Sequence, residues 1–122
     1  MKKFRLFCAV VIAVGCLSGC VQRLTDFTII SSKNVDLSRG GEFVRAEGRV
    51  EGEDTKPVII FPIGIPNAKE AMDNAIQSVP GCVGLVDGVL EHEAFAFIFG
   101  YTKYRVKGTC LMDPKLVKTA KK

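Results

Sequence analysis

The chain has 122 residues, enough for one domain with one modest hydrophobic core. Of its 17 basic residues, three lie within the first five positions, so residues 20–122 carry 14 basic against 13 acidic side chains, a formal charge of +1. This balance, without a basic patch interleaved with aromatic residues, argues against nucleic acid as a partner.

The first 20 residues have the order of an export signal. A basic start at Lys2, Lys3 and Arg5 precedes an apolar run over residues 6–14, and small residues follow. Because a bilayer-spanning helix needs roughly 20 apolar residues, the run predicts a signal helix rather than a permanent membrane span. Cleavage as an ordinary secretory signal is the disfavoured alternative, since an Ala-x-Ala-like site is missing.

The stretch Leu17-Ser18-Gly19-Cys20 resembles the bacterial lipobox, in which an aliphatic residue and two small residues precede a cysteine. The resemblance implies that residues 1–19 are removed as a signal peptide. It also implies a diacylglycerol thioether on Cys20 and acylation of its new amino group with palmitate. Two or three acyl chains anchor a protein firmly. Val21 stands where inner-membrane lipoproteins of enteric bacteria usually carry aspartate, which favours the cell outer membrane, with the domain facing the periplasm.

The mature chain is expected to begin with a lipidated tether at residues 20–26. A single domain at residues 27–114 follows, and then a frayed basic tail at residues 115–122. Residues 26–31 predict a first strand. Residues 43–51 predict the clearest strand, because small or apolar side chains alternate with charged ones. We interpret the alternating charges as cross-strand pairs rather than as a binding site.

An apolar segment follows a predicted polar turn at residues 52–56. Residues 58–61 predict a short strand or the start of a buried loop, and the two prolines of residues 62–66 oppose regular structure there. Ile63 and Ile65 either pack inward as a plug or form an exposed patch for partner contact. The inward arrangement is favoured, since large exposed apolar patches are uncommon on soluble domains.

Residues 68–79 predict the one helix of the domain. Asn67 suits the N-cap, Glu70 follows as in a capping box, and apolar residues recur along one helical face. Strands on both sides of this helix in the chain predict an α+β fold. We expect a small, mostly antiparallel sheet with the helix packed on one face, preceded by the N-terminal signal helix.

The last strands are predicted to form a hairpin. Residues 83–90 predict a strand with a bulge at Gly88, and residues 94–99 form a further strand or continue the same one. A turn at residues 100–101 is expected to precede a final strand. That strand would place Lys103, Arg105 and Lys107 on one face and Thr102, Tyr104 and Val106 on the other.

Of the five cysteines, Cys8 and Cys16 lie in the signal and Cys20 is the lipid acceptor, so Cys82 and Cys110 remain. An even pair in an oxidising compartment favours a disulfide. The bridge would close a loop of about 27 residues and contribute roughly 3–4 kcal/mol. Two buried free thiols are the alternative.

The candidates for chemistry are few. His92 is the one histidine, and on a strand it points away from Glu91 and Glu93, so these residues do not converge on a metal. Asp87, beside Gly88, is the best candidate for a shifted pKa, although a bulge aspartate more often bonds backbone. We therefore expect a non-enzyme without catalytic residues, metal or cofactor, and retain a hydrolase of envelope polymers as a minor alternative.

Several features together resemble small bacterial and phage lipoproteins of the Bor type and the TRL-like group. They are Thr25-Asp26-Phe27-Thr28-Ile29-Ile30, the helix at residues 68–79, Cys82 after it, and the ending from Phe99-Gly100-Tyr101 to Cys110. In Bor-type proteins cysteines occupy similar places, which favours the bridge. These families carry no agreed activity, and residues 62–66 have no counterpart in them.

The expected function is therefore a non-enzymatic structural or interaction module of the bacterial envelope. Its expected partners are the lipid bilayer, through Cys20, and an envelope protein, through a sheet edge or through Ile63 and Ile65. The alternative is a surface-exposed, Bor-like lipoprotein that contacts the host or binds a ligand, because Bor-type proteins are associated with resistance to host serum.

Overall fold

The structure is a computed structural model that describes residues 1–15, 19–96 and 98–120. It is an α+β fold in which one helix packs on a mainly four-stranded antiparallel sheet, as the sequence predicts. In chain order the elements are α1 (Lys2–Gly15), β1 (Cys20–Ile30), a 3₁₀ helix (Leu37–Glu42), β2 (Val44–Ile59), β3 (Phe61–Pro62), α2 (Ala68–Gln77), β4 (Cys82–Phe95), β5 (Phe99–Met112) and α3 (Pro114–Ala120).

The sheet has the strand order β1-β4-β5-β2-β3, and neighbouring strands are antiparallel. β4 and β5 form the central hairpin, with β1 beside β4 and β2 beside β5. β3 adds only two residues to the outer side of β2. Within the described residues, β1, which is 11 residues long, therefore has one unpaired edge, and the part of β2 before Val58 has another.

β2 continues through residues 52–56, which were predicted to be a polar turn. That prediction was wrong because β5 pairs with this segment without interruption, from Gly52 opposite Val106 to Lys56 opposite Thr102. Asp54 is buried here, since its carboxylate accepts hydrogen bonds from two partners. The two strands predicted on either side of the turn are thus one strand.

α2 packs against β2, β4 and β5 through its small residues. Asn67 caps it as predicted, and the Asn67 side chain accepts the Lys69 N–H at 2.9 Å. Ala71 and Ala75 are fully buried and lie directly against Gly52, where a Cβ would collide with the helix backbone. The pairing of alanines with a glycine lets the helix approach the sheet closely.

The core lies between α2 and the central hairpin. Its fully buried members from the sheet are Leu85 and Cys110, together with Val106 at 2% exposure, and α2 contributes Ile76. Phe27 of β1 packs against this cluster across Gly88, where any Cβ would meet the Phe27 ring. The predicted bulge at Gly88 is confirmed by a register shift between Val86 and Val89.

The chain ends of the domain are more regular than the sequence suggests. Residues 20–26 were expected to be a tether, but they lie within β1, because Cys20 to Arg23 pair with the long arm of β4. The C-terminal tail forms α3, which starts where the Asp113 carboxylate accepts the Lys115 N–H at 2.9 Å.

The central hairpin turns earlier than predicted. β4 continues to Phe95 as a single strand, and β5 already begins at Phe99, so Gly100 and Tyr101 are strand residues rather than a turn. They pair with Val58 and Pro57 of β2, which explains the extended backbone at a glycine. Phe97, between the two strands, lies outside the described residues.

Candidate functional site

Cys20 is the first residue of β1, and its thiol is free and exposed. It lies opposite Ala94, one residue before the end of β4. The preceding Gly19 lies beside Phe95, since a Cβ at Gly19 would be 3.4 Å from the Phe95 Cβ. Leu17 and Ser18 of the lipobox-like stretch lie outside the described residues. Cys20 is therefore a solvent-exposed cysteine at the start of an edge strand.

The basic and apolar residues at the start of the chain form helix α1. Within the part of the chain that the structure describes, no helix combines the length and apolar character needed to cross a membrane.

Ile63 and Ile65, predicted to pack inward, are exposed to 54% and 87%. That prediction was wrong because α2 fills the space over the sheet, and the Ile63 N–H bonds the Pro57 carbonyl at the outer side of β2 at 3.0 Å. Both side chains belong to a larger exposed group that we call the apolar tip. Its members, each more than half exposed, are Ile60, Phe61, Ile63, Ile65, Ile98 and Phe99.

Two turns come together in the apolar tip. The β2–β3 turn at Ile60 and the β4–β5 turn at Ile98 are joined by an Ile60 N–H to Ile98 carbonyl hydrogen bond of 2.9 Å. Ile60 has a φ of 62°, in the left-handed region where a β-branched residue is strained. The fold therefore holds a bulky apolar side chain in solvent at a position that glycine or asparagine would fill with less strain.

The sheet face opposite α2 carries a charge ladder that we call the charged face. Its members are Glu51 and Glu53 on β2, Lys103, Arg105 and Lys107 on β5, and Glu91 and Glu93 on β4. Arg105 is the centre, at 2.5 Å from Glu53, 2.8 Å from Glu51 and 3.3 Å from Glu93. The predicted side-chain alternation on β5 is thus confirmed. Of the alternating charges in residues 43–51, Glu51 and Arg45 pair with charged residues on other strands, Arg105 and Asp87.

Glu93 has a second partner, because the Tyr101 hydroxyl donates to its carboxylate. This hydrogen bond, supported by Lys103, outweighs burial and lowers the pKa of Glu93. The same bond raises the pKa of Tyr101, with burial adding to the effect. Glu93 is therefore ionised and Tyr101 protonated at neutral pH, a pairing that holds two strands together.

His92 points to the α2 side of the sheet, away from Glu91 and Glu93, as predicted. Its Nε2 lies 3.0 Å from the Thr102 hydroxyl, and its ring centroid lies 5.0 Å from that of Tyr104. In residues 1–15, 19–96 and 98–120, no group of three or more His, Cys, Asp or Glu side chains is placed to hold a metal ion.

Asp87 lies in the β4 bulge with a φ of 49°, and its half-exposed carboxylate pairs with Arg45 of β2. It faces solvent and a cation rather than an apolar cleft. The predicted backbone-bonding aspartate is thus a bulge residue held by an ion pair.

Cys82 and Cys110 form the predicted disulfide, with a Cα–Cα distance of 5.7 Å. Both are buried, at 2% and 0% exposure, beneath α2. The alternative of two free thiols is therefore excluded, and the bridge serves as a core crosslink between β4 and β5.

A cavity of about 220 Å³ opens at the far end of the sheet from the apolar tip. The connection from β1 to the 3₁₀ helix contributes Val35 and Leu37, and the sheet contributes Ile29 and Leu111. Pockets for drug-sized ligands start at roughly 300 Å³, so this cavity is small for such a role.

Strand alternation predicted the side chains of β5 on the charged face, whereas only Ile63 and Ile65, two of the six residues of the apolar tip, were contact candidates. The available signal was a pair of uncharged runs, residues 57–66 and 94–102, both rich in isoleucine or phenylalanine. The β2–β5 register, which runs from Pro57 opposite Tyr101 to Ile59 opposite Phe99, brings the two runs together. No family model, curated protein or solved structure matches the chain.

Proposed function

We propose that the chain is an exported lipoprotein, anchored to the outer membrane by acyl chains on Cys20, whose domain is a non-enzymatic interaction module of the envelope. The observation that carries the proposal is the position of Cys20, which follows an apolar N-terminal helix and opens β1 with an exposed thiol. An acylating enzyme reaches such a thiol without opening the core.

The protein partner in this proposal binds along β1. Within residues 19–96 and 98–120, β1 pairs with β4 on one side and with no strand on the other. A strand edge of this kind presents backbone N–H and C=O groups to which an extended segment of another chain can pair.

The pairing would use the second half of β1. A register shift between Arg23 and Thr25 interrupts the first half, and bulges weaken edge pairing. Beyond it, residues 25–30 continue without interruption, and most of their side chains are exposed. Residues 25–30 are therefore the proposed docking segment.

The charged face and the disulfide support a binding role over a catalytic one. Arg105, Lys103 and their glutamate partners are occupied by mutual ion pairs. The disulfide is buried and closed to substrate. These groups stabilise the sheet, and they do not occupy the unpaired edge of β1.

Metabolic labelling tests the anchor. Full-length chain expressed in a lipoprotein-processing bacterium should incorporate labelled palmitate and partition with membranes. Cys20→Ala should abolish both, whereas Cys8→Ala, the control within the apolar helix, should abolish neither. Labelling that survives Cys20→Ala would contradict the anchor.

Site-specific photocrosslinking in intact cells tests whether a protein partner binds at the edge of β1. A photoreactive residue replacing Thr28 of β1 should give a reproducible heteromeric adduct. The same residue replacing Thr55, an exposed threonine of β2, is the matched control and should not give it. Recovery of monomer alone from the Thr28 variant would argue against partner pairing at β1.

A further inference from the structure

The apolar tip and Cys20 lie at the same end of the sheet. Cys20 pairs with Ala94, Ala94 with Thr102, and Thr102 with Lys56, so these four residues form one row across the strands. Beyond this row, β5 continues to Phe99 and β2 to Ile59 before each strand turns. The two turns thus extend past the attachment residue.

Strand geometry sets the scale of this projection. Phe99 lies three residue steps before Thr102, which is about 10 Å at the rise of a strand. Cys20 is two strands away from Thr102, also about 10 Å at the spacing between strands. A bilayer surface that holds the acyl chains at Cys20 therefore meets the apolar tip, which is long enough to enter the acyl boundary.

The composition of the apolar tip fits a position at the acyl boundary of the bilayer. Residues 57–66 and 94–102 contain no charged side chain, and the charges that flank them in the sheet are Lys56 on β2, Glu93 on β4 and Lys103 on β5. Tyr101 lies between the tip and these lysines in the sheet. Apolar residues beyond, with tyrosine and lysine at the boundary, follow the arrangement of proteins at a membrane interface.

We infer that the apolar tip inserts into the phospholipid bilayer beside acylated Cys20, an inference that rests on the proposed anchor. The tip is then a second membrane contact, which holds the strands upright on the membrane and directs the free edge of β1 along the membrane normal. The strained Ile60 keeps an apolar side chain at the outermost turn for this contact.

Tryptophan depth quenching tests the insertion, because the chain has no native tryptophan. Lipidated Phe99→Trp protein is purified from bacterial membranes, its acylation at Cys20 is checked by mass spectrometry, and it is reconstituted in phosphatidylcholine vesicles with brominated acyl chains. Phe61→Trp is the second tip variant. Leu37→Trp is the matched control, because Leu37 and Phe99 are both 67% exposed and lie at opposite ends of the sheet.

Insertion predicts that both tip variants lose most of their emission in brominated vesicles, while Leu37→Trp keeps its emission. An acylated protein whose Phe99→Trp and Phe61→Trp emission is not quenched overturns the insertion and leaves the anchor intact. If chemical crosslinking of that same sample gives a dimer, the apolar tip instead contacts a second copy of the chain. An unacylated Cys20 overturns the anchor and the insertion together.

Discussion

The Asp54 carboxylate accepts the backbone N–H of Asn67 at 2.7 Å and so joins the middle of β2 to the start of α2. Its other oxygen accepts the Lys56 ammonium at 2.8 Å. Asn67 in turn caps the Lys69 N–H. The Lys56 hydrogen bond, followed by that from Asn67, lowers the pKa of Asp54, which keeps it ionised although it is only 8% exposed.

Asp54→Ala should destabilise the domain by about 1–3 kcal/mol, because the Asn67 N–H is left without its acceptor in a partly buried site. Urea denaturation followed by circular dichroism measures the loss. Asp73→Ala, which removes the i,i+4 pair of α2 with the exposed Lys69, is the control and should cost less. Equal losses in the two variants would show that the Asp54–Asn67 bond has no special role.

Gly52→Ala should also destabilise the domain, by about 1–3 kcal/mol, since the new methyl group collides with the helix backbone at Ala71 and Ala75. Gly41→Ala is the matched control, because a Cβ there meets nothing within 4 Å. Thermal unfolding of both variants checks the expectation. An unchanged melting temperature for Gly52→Ala would mean that α2 does not rest on this glycine.

These two residues also show where sequence reasoning fails. Asp54 and Gly52 are typical turn residues, and nothing local reveals that β5 pairs with them or that α2 packs over them. By contrast, Asn67 and the alternation of Lys103 and Arg105 express local rules of capping and strand period, so both were predicted.

The prediction that Ile63 and Ile65 pack inward was wrong for a related reason. Burial of Ile63 and Ile65 was expected from the general behaviour of apolar side chains, which does not say where helix α2 ends over the sheet. Residues distant in sequence, such as Ile60 and Ile98, meet there only through the hairpin register. Tertiary pairing rather than local pattern therefore determines this surface.

Reduction of the Cys82–Cys110 bridge should lower the free energy of unfolding by about 3–4 kcal/mol. The intact bridge joins residues 28 positions apart and so restricts the conformations of the unfolded chain, and reduction restores that conformational entropy. Urea midpoints with and without reductant measure this difference. The Cys82→Ala/Cys110→Ala protein should unfold near the reduced midpoint and show no response to reductant. A wild-type midpoint that reductant leaves unchanged under denaturing conditions would contradict a stabilising bridge.

The Glu93–Tyr101 pair should make stability depend on pH at both ends of the range. The pKa of Glu93 is lowered on folding by the Tyr101 hydrogen bond. Its contribution is therefore complete above the ordinary glutamate pKa of about 4.3 and is lost as the pH falls through the folded value. The pKa of Tyr101 is raised by the same bond. That contribution is complete below the ordinary tyrosine pKa of about 10 and is lost as the pH rises through the folded value.

Tyr101→Phe should flatten both ends of the stability curve and return the pKa of Glu93 toward its ordinary value, although Lys103 still favours the carboxylate. Carboxyl ¹³C chemical shifts and urea midpoints across pH measure the two effects. Tyr104→Phe is the matched control, because Tyr104 lies against His92 on the other side of the sheet. If Tyr101→Phe and wild type show the same acid limb and the same Glu93 titration, the hydrogen bond does not set the pKa of Glu93. Lys103 and Arg105 alone would then account for the lowered pKa of Glu93.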